Sequence, residues 1–272
     1  MKETNKQISI TSIIKEKQDY RIILDNGEKV AVTEDILIFF NLFKGLKISE
    51  EKFQNIKKAT SISLGLQLAY AYLKNQLRTK KEIQEYLQRQ KILDKSLEKI
   101  LKKLQNLHLV DDKNYAESYI RTKVRLNKKG PQIIKQSLLK KGVSENIIDS
   151  ALSNFFPNNL QKNHASNLAK KLEKKYQSKS YKEKLQKIYQ GLIVQGFNSN
   201  IAKDAIENLE LIKDEEREWE QLQKAGEKIW QKTSRFETGK RWQKIKRGLY
   251  QKGFSIENID RFVEMLKTKD LE

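Results

Sequence analysis

His108 and His164 are the only imidazoles in a chain of 272 residues that has no cysteine. Catalysis or metal binding through histidine needs a carboxylate or a second imidazole at a spacing that brings both to one point. The residues around neither histidine supply that spacing, so surface or helix-end positions are expected for both. Without cysteine there are no disulfides, thiolate metal sites or thiol nucleophiles. The acidic pair Asp111-Asp112 precedes a helical pattern at Tyr115, where carboxylates favour the positive end of the helix dipole, so a capping role is expected rather than a metal site. Gly239-Lys240-Arg241 lacks the spacing and the hydroxyl of a phosphate-cradling loop, and no G-x-S-x-G elbow or dinucleotide fingerprint is present. These residues do not support an enzyme, and no cofactor is expected.

The chemistry that remains is attraction between cations and a polyanion. The formal charge is +20, and residues 61–213 hold 30 Lys and Arg against 14 Asp and Glu, whereas residues 1–60 and 214–272 carry +2 each. Such a field favours a nucleic acid or an acidic protein surface as partner. The cations gather where helices are expected to begin or turn. Arg78, Lys80 and Lys81 surround one such start, and Arg121, Lys123, Arg125, Lys128 and Lys129 lead into Gly130-Pro131. Lys170, Lys171, Lys174, Lys175 and Lys179 precede Ser180, and Lys240, Arg241, Lys244, Lys246 and Arg247 form a fourth group. A candidate partner- or DNA-binding stripe takes the first two groups whole, with Lys174, Lys175, Lys179, Lys240 and Arg241. The alternative is that each group is an ordinary solvated helix face. Trp219, Trp230 and Trp242 are of a type that stacks on bases, but their spacing on helical segments favours packing between helices.

What positions these groups is a repeated phrase. LLKKGVSENIIDSAL begins at Leu138, LIVQGFNSNIAKDAI at Leu192 and LYQKGFSIENIDRFV at Leu249, with a fainter copy, LQRQKILDKSLEKIL, at Leu87. In the three clear copies a helix ends at Gly142, Gly196 or Gly253, where a left-handed residue closes the last turn without a Cβ penalty. Val143, Phe197 or Phe254 follows and folds back on the helix, and Ser144, Ser199 or Ser255 is placed to cap the next one. Lys91 replaces the glycine in the first copy, so that corner is expected to be strained or differently shaped. The corners recur at intervals of 51, 54 and 57 residues, a period of repeated supersecondary units. Leu138, Leu192 and Leu249 share one position and are expected to be buried. Ahead of each corner helix stand start signals: Thr79-Lys80-Lys81-Glu82, Gly130-Pro131 and Ser180-Tyr181-Lys182-Glu183. A further helix precedes each of these.

The first sixty residues read differently. ISITSIIK, DYRIILDNG and EKVAVT are short, β-branched and partly alternating, as strands are. Asn26-Gly27 between two of them predicts a hairpin with a type I′ turn. The helical period begins at about Ser61. The expected fold is mainly α, with tandem three-helix, helix-turn-helix-like repeats in an elongated curved array behind a small N-terminal β-containing module. The expected boundaries are 1–60 for that module and 61–111, 112–158, 159–213 and 214–272 for four repeats. The sequence has no apolar run near the roughly 20 residues of a membrane span and no signal-peptide apolar region at its N-terminus. A cytoplasmic monomer is expected.

Six segments together resemble the RecX regulatory proteins. They are YRIILDNGEKVAVTEDILIFFNLFKG from Tyr20, LRTKKEIQEYL from Leu77, DDKNYAESYI from Asp111, KKGPQIIKQSLLKKGV from Lys128, and the QGF and KGF corners. Lys91, in place of glycine, and Gln76, in place of a basic residue, depart from the pattern. The resemblance implies a protein that binds within the groove of the RecA–DNA filament. There it would inhibit recombinase, ATPase and coprotease activities and so modulate DNA repair, recombination and the SOS response. A sequence-nonspecific protein acting on DNA directly is the alternative.

Overall fold

Alternating isoleucines build the N-terminal sheet. In the computed structural model, which describes residues 7–16, 19–126 and 129–269, β1 (Gln7–Glu16), β2 (Asp19–Leu24) and β3 (Lys29–Val32) form an antiparallel meander. A short strand, β4 (Lys47–Ser49), adds to the other edge of β1, giving the order β3-β2-β1-β4. Ile8 and Ile10 of β1, Ile22 and Leu24 of β2 and Val32 of β3 are buried under α1 (Glu34–Phe39) and the start of α2 (Glu50–Leu73).

The hairpin forms where expected, but its turn is different. Only Gly27 has positive φ, at 81°, and the bonds Gly27 N–Leu24 O and Leu24 N–Glu28 O, both 3.0 Å, close a three-residue loop. This is a turn followed by a left-handed glycine rather than type I′. Asp25 explains the longer loop: its N–H donates to Ser9 O and its carboxylate accepts from Ser9 N, which ties it to β1. The helical period also begins earlier than Ser61. Ser49 caps α2 at Lys52 N, and the helix then runs through residue 60. Its Phe53 and Ile56 belong to the sheet core, and its Leu66 and Ala69 to the next core.

From α2 onward, twelve helices follow among the described residues. They are α2, α3 (Lys80–Arg89) and α4 (Asp94–Asn106); α5 (Asp112–Arg125), α6 (Pro131–Lys140) and α7 (Glu145–Phe155); α8 (Asn158–Lys175), α9 (Tyr181–Val194) and α10 (Ser199–Glu207); and α11 (Glu215–Lys232), α12 (Thr238–Gln251) and α13 (Ile256–Lys269). Contacts divide the chain into two compact units, Met1–Tyr119 with Leu138–Ile148, and Ile120–Ser137 with Asp149–Glu272.

The repeated phrase has one geometry. Gly142, Gly196 and Gly253 have φ of 83°, 90° and 85°. In each corner the residue after the glycine donates to the carbonyl of Leu138, Leu192 or Leu249, and the glycine N–H donates one residue further on. These paired bonds satisfy carbonyls that a helix end otherwise leaves open. The three leucines are fully buried, as the shared position predicts. Ser144 and Ser255 stand at the expected caps, with Ser255 Oγ accepting from Asn258 N. The third corner corrects the expectation: Asn198, not Ser199, caps α10, accepting from Ile201 N at 2.8 Å. An asparagine one residue earlier is an equally good acceptor, and it fixes the helix start.

Lys91 takes the same shape as the glycines. Its φ is 61°, with Ile92 N–Leu87 O at 3.1 Å and Lys91 N–Gln88 O at 2.9 Å. The first corner is therefore strained without being differently shaped. Lys91 is exposed, so its Cβ meets no packed neighbour. Lys91→Gly is expected to raise the stability of the first compact unit by about 0.5–1 kcal/mol, relief of left-handed strain being partly offset by unfolded-state entropy. A denaturation midpoint that falls in this variant would show that the left-handed lysine is not strained.

Consecutive three-helix groups share a latch. The residue at the N-cap of a middle helix donates to the carbonyl just before the next corner glycine. Thr79 Oγ1 donates to Lys141 O at 2.7 Å, Gly130 N to Gln195 O at 2.6 Å, and Ser180 Oγ to Lys252 O. Each bond joins a helix N-terminus to a helix C-terminal corner, so the dipoles are complementary as well. In two latches a carboxylate from the next group holds the following N–H: Asp112 Oδ1 accepts from Lys80 N and Glu218 Oε2 from Tyr181 N, both at 2.8 Å. Burial raises the pKa of both acids, and the N–H bonds oppose that only in part. The middle latch has Pro131 at this position, which has no N–H to satisfy.

Candidate partner-binding surface

The first basic group is partly spent on the fold. Arg78 is half-buried with its guanidinium 4.1 Å from the Tyr72 ring centroid, and Tyr72 itself stacks on Tyr86. Lys81 Nζ donates to Lys140 O at 3.1 Å, and its stem lies against Gly142 at the latch. Lys80 is exposed. Beside them Lys141 pairs with Glu82 at 2.5 Å. Burial works to raise the Glu82 pKa, but the Lys141 ammonium and the Thr79 N–H outweigh it and hold the carboxyl below its usual value.

The second group stands on α5 and the residues before α6. Arg121 is exposed and lies 4.8 Å from the Phe155 ring centroid, and Arg125 and Lys129 are exposed. Lys123 is half-buried and engaged by its neighbours. Lys128 lies outside the described residues. In the third group Lys174 and Lys175 are exposed in the last turn of α8, where cations favour the negative helix end. Lys179 is half-buried and pairs with Glu183 at 3.1 Å.

Arg241 is the most committed of the fourth group. Its guanidinium lies 3.2 Å from the Trp230 ring centroid and donates to Trp230 O, while Trp242 stacks on Trp230 at 4.5 Å. Arg241 and Trp242 thus both lie against Trp230. All three tryptophans pack against the core of α11–α13, in keeping with the packing expectation. Lys240 is exposed and 3.8 Å from Glu237. Of the candidate cations described, Arg78, Lys80 and Lys81 belong to the first compact unit and the others to the second.

The histidines stand where helices end or pack. His108 has φ of 54° at the end of α4, and His164 is half-buried 5.2 Å from Phe156, burial holding its pKa down. Asp111 Oδ1 accepts from Lys113 N and Asn114 N at the start of α5, the expected cap. Among the described residues no group of three metal-ligating side chains occurs, and no helix is long and apolar enough to cross a membrane.

One basic surface was missed by sequence reasoning. A groove of about 770 Å³ runs along α11, lined by Arg217, Lys224, Lys228 and Lys232 of that helix, Lys252 of the fourth corner and Gln177. The signal was the spacing 224, 228, 232, which puts three lysines on one helix face. It was hidden because acids elsewhere on α11 cancel their charge in the composition.

Three-helix groups joined by corner latches behind a small antiparallel sheet define a tandem helical-repeat protein. Residues 111–152 match the second three-helix domain of RecX, and residues 215–263 match the third. The regulatory protein RecX of Enterococcus faecalis is 42% identical over 94% of this chain and 96% of its own length, and that of Levilactobacillus brevis is 35% identical over 93% and 96%. A crystal structure of regulatory protein RecX superimposes with a TM-score of 0.59 at 37% identity, covering 72% of this chain and 97% of that one. RecX from Lactobacillus salivarius gives 0.54 at 42% identity, over 57% and 99%. The chain belongs to the RecX family of regulatory proteins.

Proposed function

We propose that this protein is a negative regulator of RecA that binds the groove of the RecA–DNA filament. It lowers recombinase, ATPase and coprotease activity by occupying the filament, with no chemistry of its own. The observation that carries this reading is family membership over nearly the whole chain at up to 42% identity. The surplus of 30 cations over 14 acids across residues 61–213 supports it, because the filament carries nucleic acid. Successive three-helix groups allow many weak contacts to act together. The N-terminal module is taken as 1–60 and the repeats as 61–111, 112–158, 159–213 and 214–272, acting as a monomer in the cytoplasm. The exposed cations Lys80, Arg121, Arg125, Lys129, Lys174 and Lys175 are the best placed of the candidate stripe to meet the partner.

Binding to RecA filaments on DNA is expected to be tighter than binding to DNA alone and less sensitive to salt. A DNA-only mode with six to ten phosphate contacts would lose about 10³–10⁵ in affinity between 50 and 200 mM salt. Reversing Arg121, Arg125 and Lys129 to glutamate is expected to weaken inhibition of strand exchange while leaving the unfolding midpoint unchanged. Equal affinity for naked DNA and filaments, with inhibition relieved by excess DNA, would sink the filament reading in favour of competition for DNA.

A further inference from the structure

We infer that the groove along α11 is a binding site for one phosphodiester strand, a contact with single-stranded nucleic acid that needs no RecA. The charges of α11 are sorted by face. Arg217, Lys224, Lys228 and Lys232 point into the groove, while Glu216 and Glu227 are exposed and do not line it. Glu220 is the one acid in the lining; it is 3.5 Å from Lys224, with both side chains largely exposed, so the pair leaves most of the local positive field in place. Lys228 and Lys232 make no ion pair among the described residues, and both are exposed. Successive lysines four residues apart rise by about 6 Å along the helix. A row of evenly spaced cations recognises a row of evenly spaced anions.

The floor completes the match. Ala225 and Ile229 line the groove between the cations and offer apolar surface against which a base can lie. The opposite wall is the loop before α9, fixed in place because Gln221 Nε2 donates to Gln177 O at 2.8 Å and Ser180 is latched to Lys252 O. A concave groove of about 770 Å³ admits a few nucleotides of one strand but not the convex cylinder of a duplex. The first latch lacks this row of lysines. Aligning Asp112 with Glu218 through their shared latch role puts Ser118, Thr122 and Leu126 where Lys224, Lys228 and Lys232 stand, so the first latch has no such row.

The experiment measures fluorescence anisotropy of the full-length protein with labelled oligothymidylate, a hairpin duplex and poly-glutamate, without RecA, between 50 and 200 mM salt. Lys224→Gln/Lys228→Gln/Lys232→Gln is compared with a control that removes the same charge from α4, Lys95→Gln/Lys99→Gln/Lys103→Gln. Three lost phosphate contacts are expected to lower the salt slope for oligothymidylate by about 2, at about 0.7 per contact, with affinity at 50 mM falling at least about tenfold. The control is expected to change both only slightly, and wild-type binding to the duplex to be weaker. An unchanged slope, or an equal loss in the control, would overturn the site. An equal effect of the α11 variant on poly-glutamate would reassign the groove to an acidic protein segment. Inhibition of RecA is assayed separately, so failure of the filament reading leaves this test intact.

Discussion

Leu192→Ala is expected to lower the stability of the second compact unit by about 2–5 kcal/mol. The side chain is fully buried, and its carbonyl accepts from Phe197 N at 3.2 Å, so the same residue closes the corner and fills the space beneath it. Truncation leaves a cavity at the point where α9 meets α8 and α10. Urea denaturation followed by circular dichroism reads the loss as a lower midpoint. Val194, two residues on in the same helix, is 69% exposed, and Val194→Ala is expected to stay within about 0.5 kcal/mol of the parent. Equal effects at the two sites would refute the shared burial of the leucine position.

The second large effect is expected at Gly130. A Cβ there would lie 2.4 Å from Gly196 C, 2.5 Å from Gly196 O and 2.7 Å from Phe197 N, all of them backbone atoms. The backbone cannot retreat without breaking Gly130 N–Gln195 O and Gln132 N–Gly196 O. Gly130→Ala is expected to cost about 3 kcal/mol, from overpacking together with the weakened latch. Gly239→Ala supplies the contrast. Nothing lies within 4 Å of the added methyl, and the site is in the first turn of α12, so a gain of about 0.5–1 kcal/mol is expected. If Gly130→Ala keeps the parent midpoint, the latch opens at little cost and does not hold the groups together.

The corners were legible because three constraints coincide in six residues: a buried leucine, a left-handed glycine and an apolar residue folding back. Any one alone is common. The hairpin was legible from Asn26-Gly27, but its loop length was not, since the bond between Asp25 and Ser9 joins residues 16 apart. β4 has three residues and is defined by its pairing with β1, which leaves no periodic signal of its own. The early start of α2 was obscured because its first turns offer only Phe53 and Ile56 as apolar residues, facing a sheet rather than helices.

The basic clusters illustrate the opposite limit. Composition located the cations, but not the work that Arg78, Lys81 and Arg241 already do on Tyr72, Lys140 O and Trp230. Those partners lie up to 59 residues away or across a helix turn. The latches themselves have no sequence signature, because each joins segments 62 to 72 residues apart through a backbone carbonyl, which every residue possesses.

The corners also differ in what they leave room for. A group preceding the first would need to rest its middle helix on the corner at residue 91, where a lysine Cβ occupies the place that glycine leaves clear at the other corners. The joints share an acceptor, the carbonyl before a corner glycine, but not a donor, which is Thr79 Oγ1, Gly130 N or Ser180 Oγ, so a group exchanged for another must bring its own donor with it.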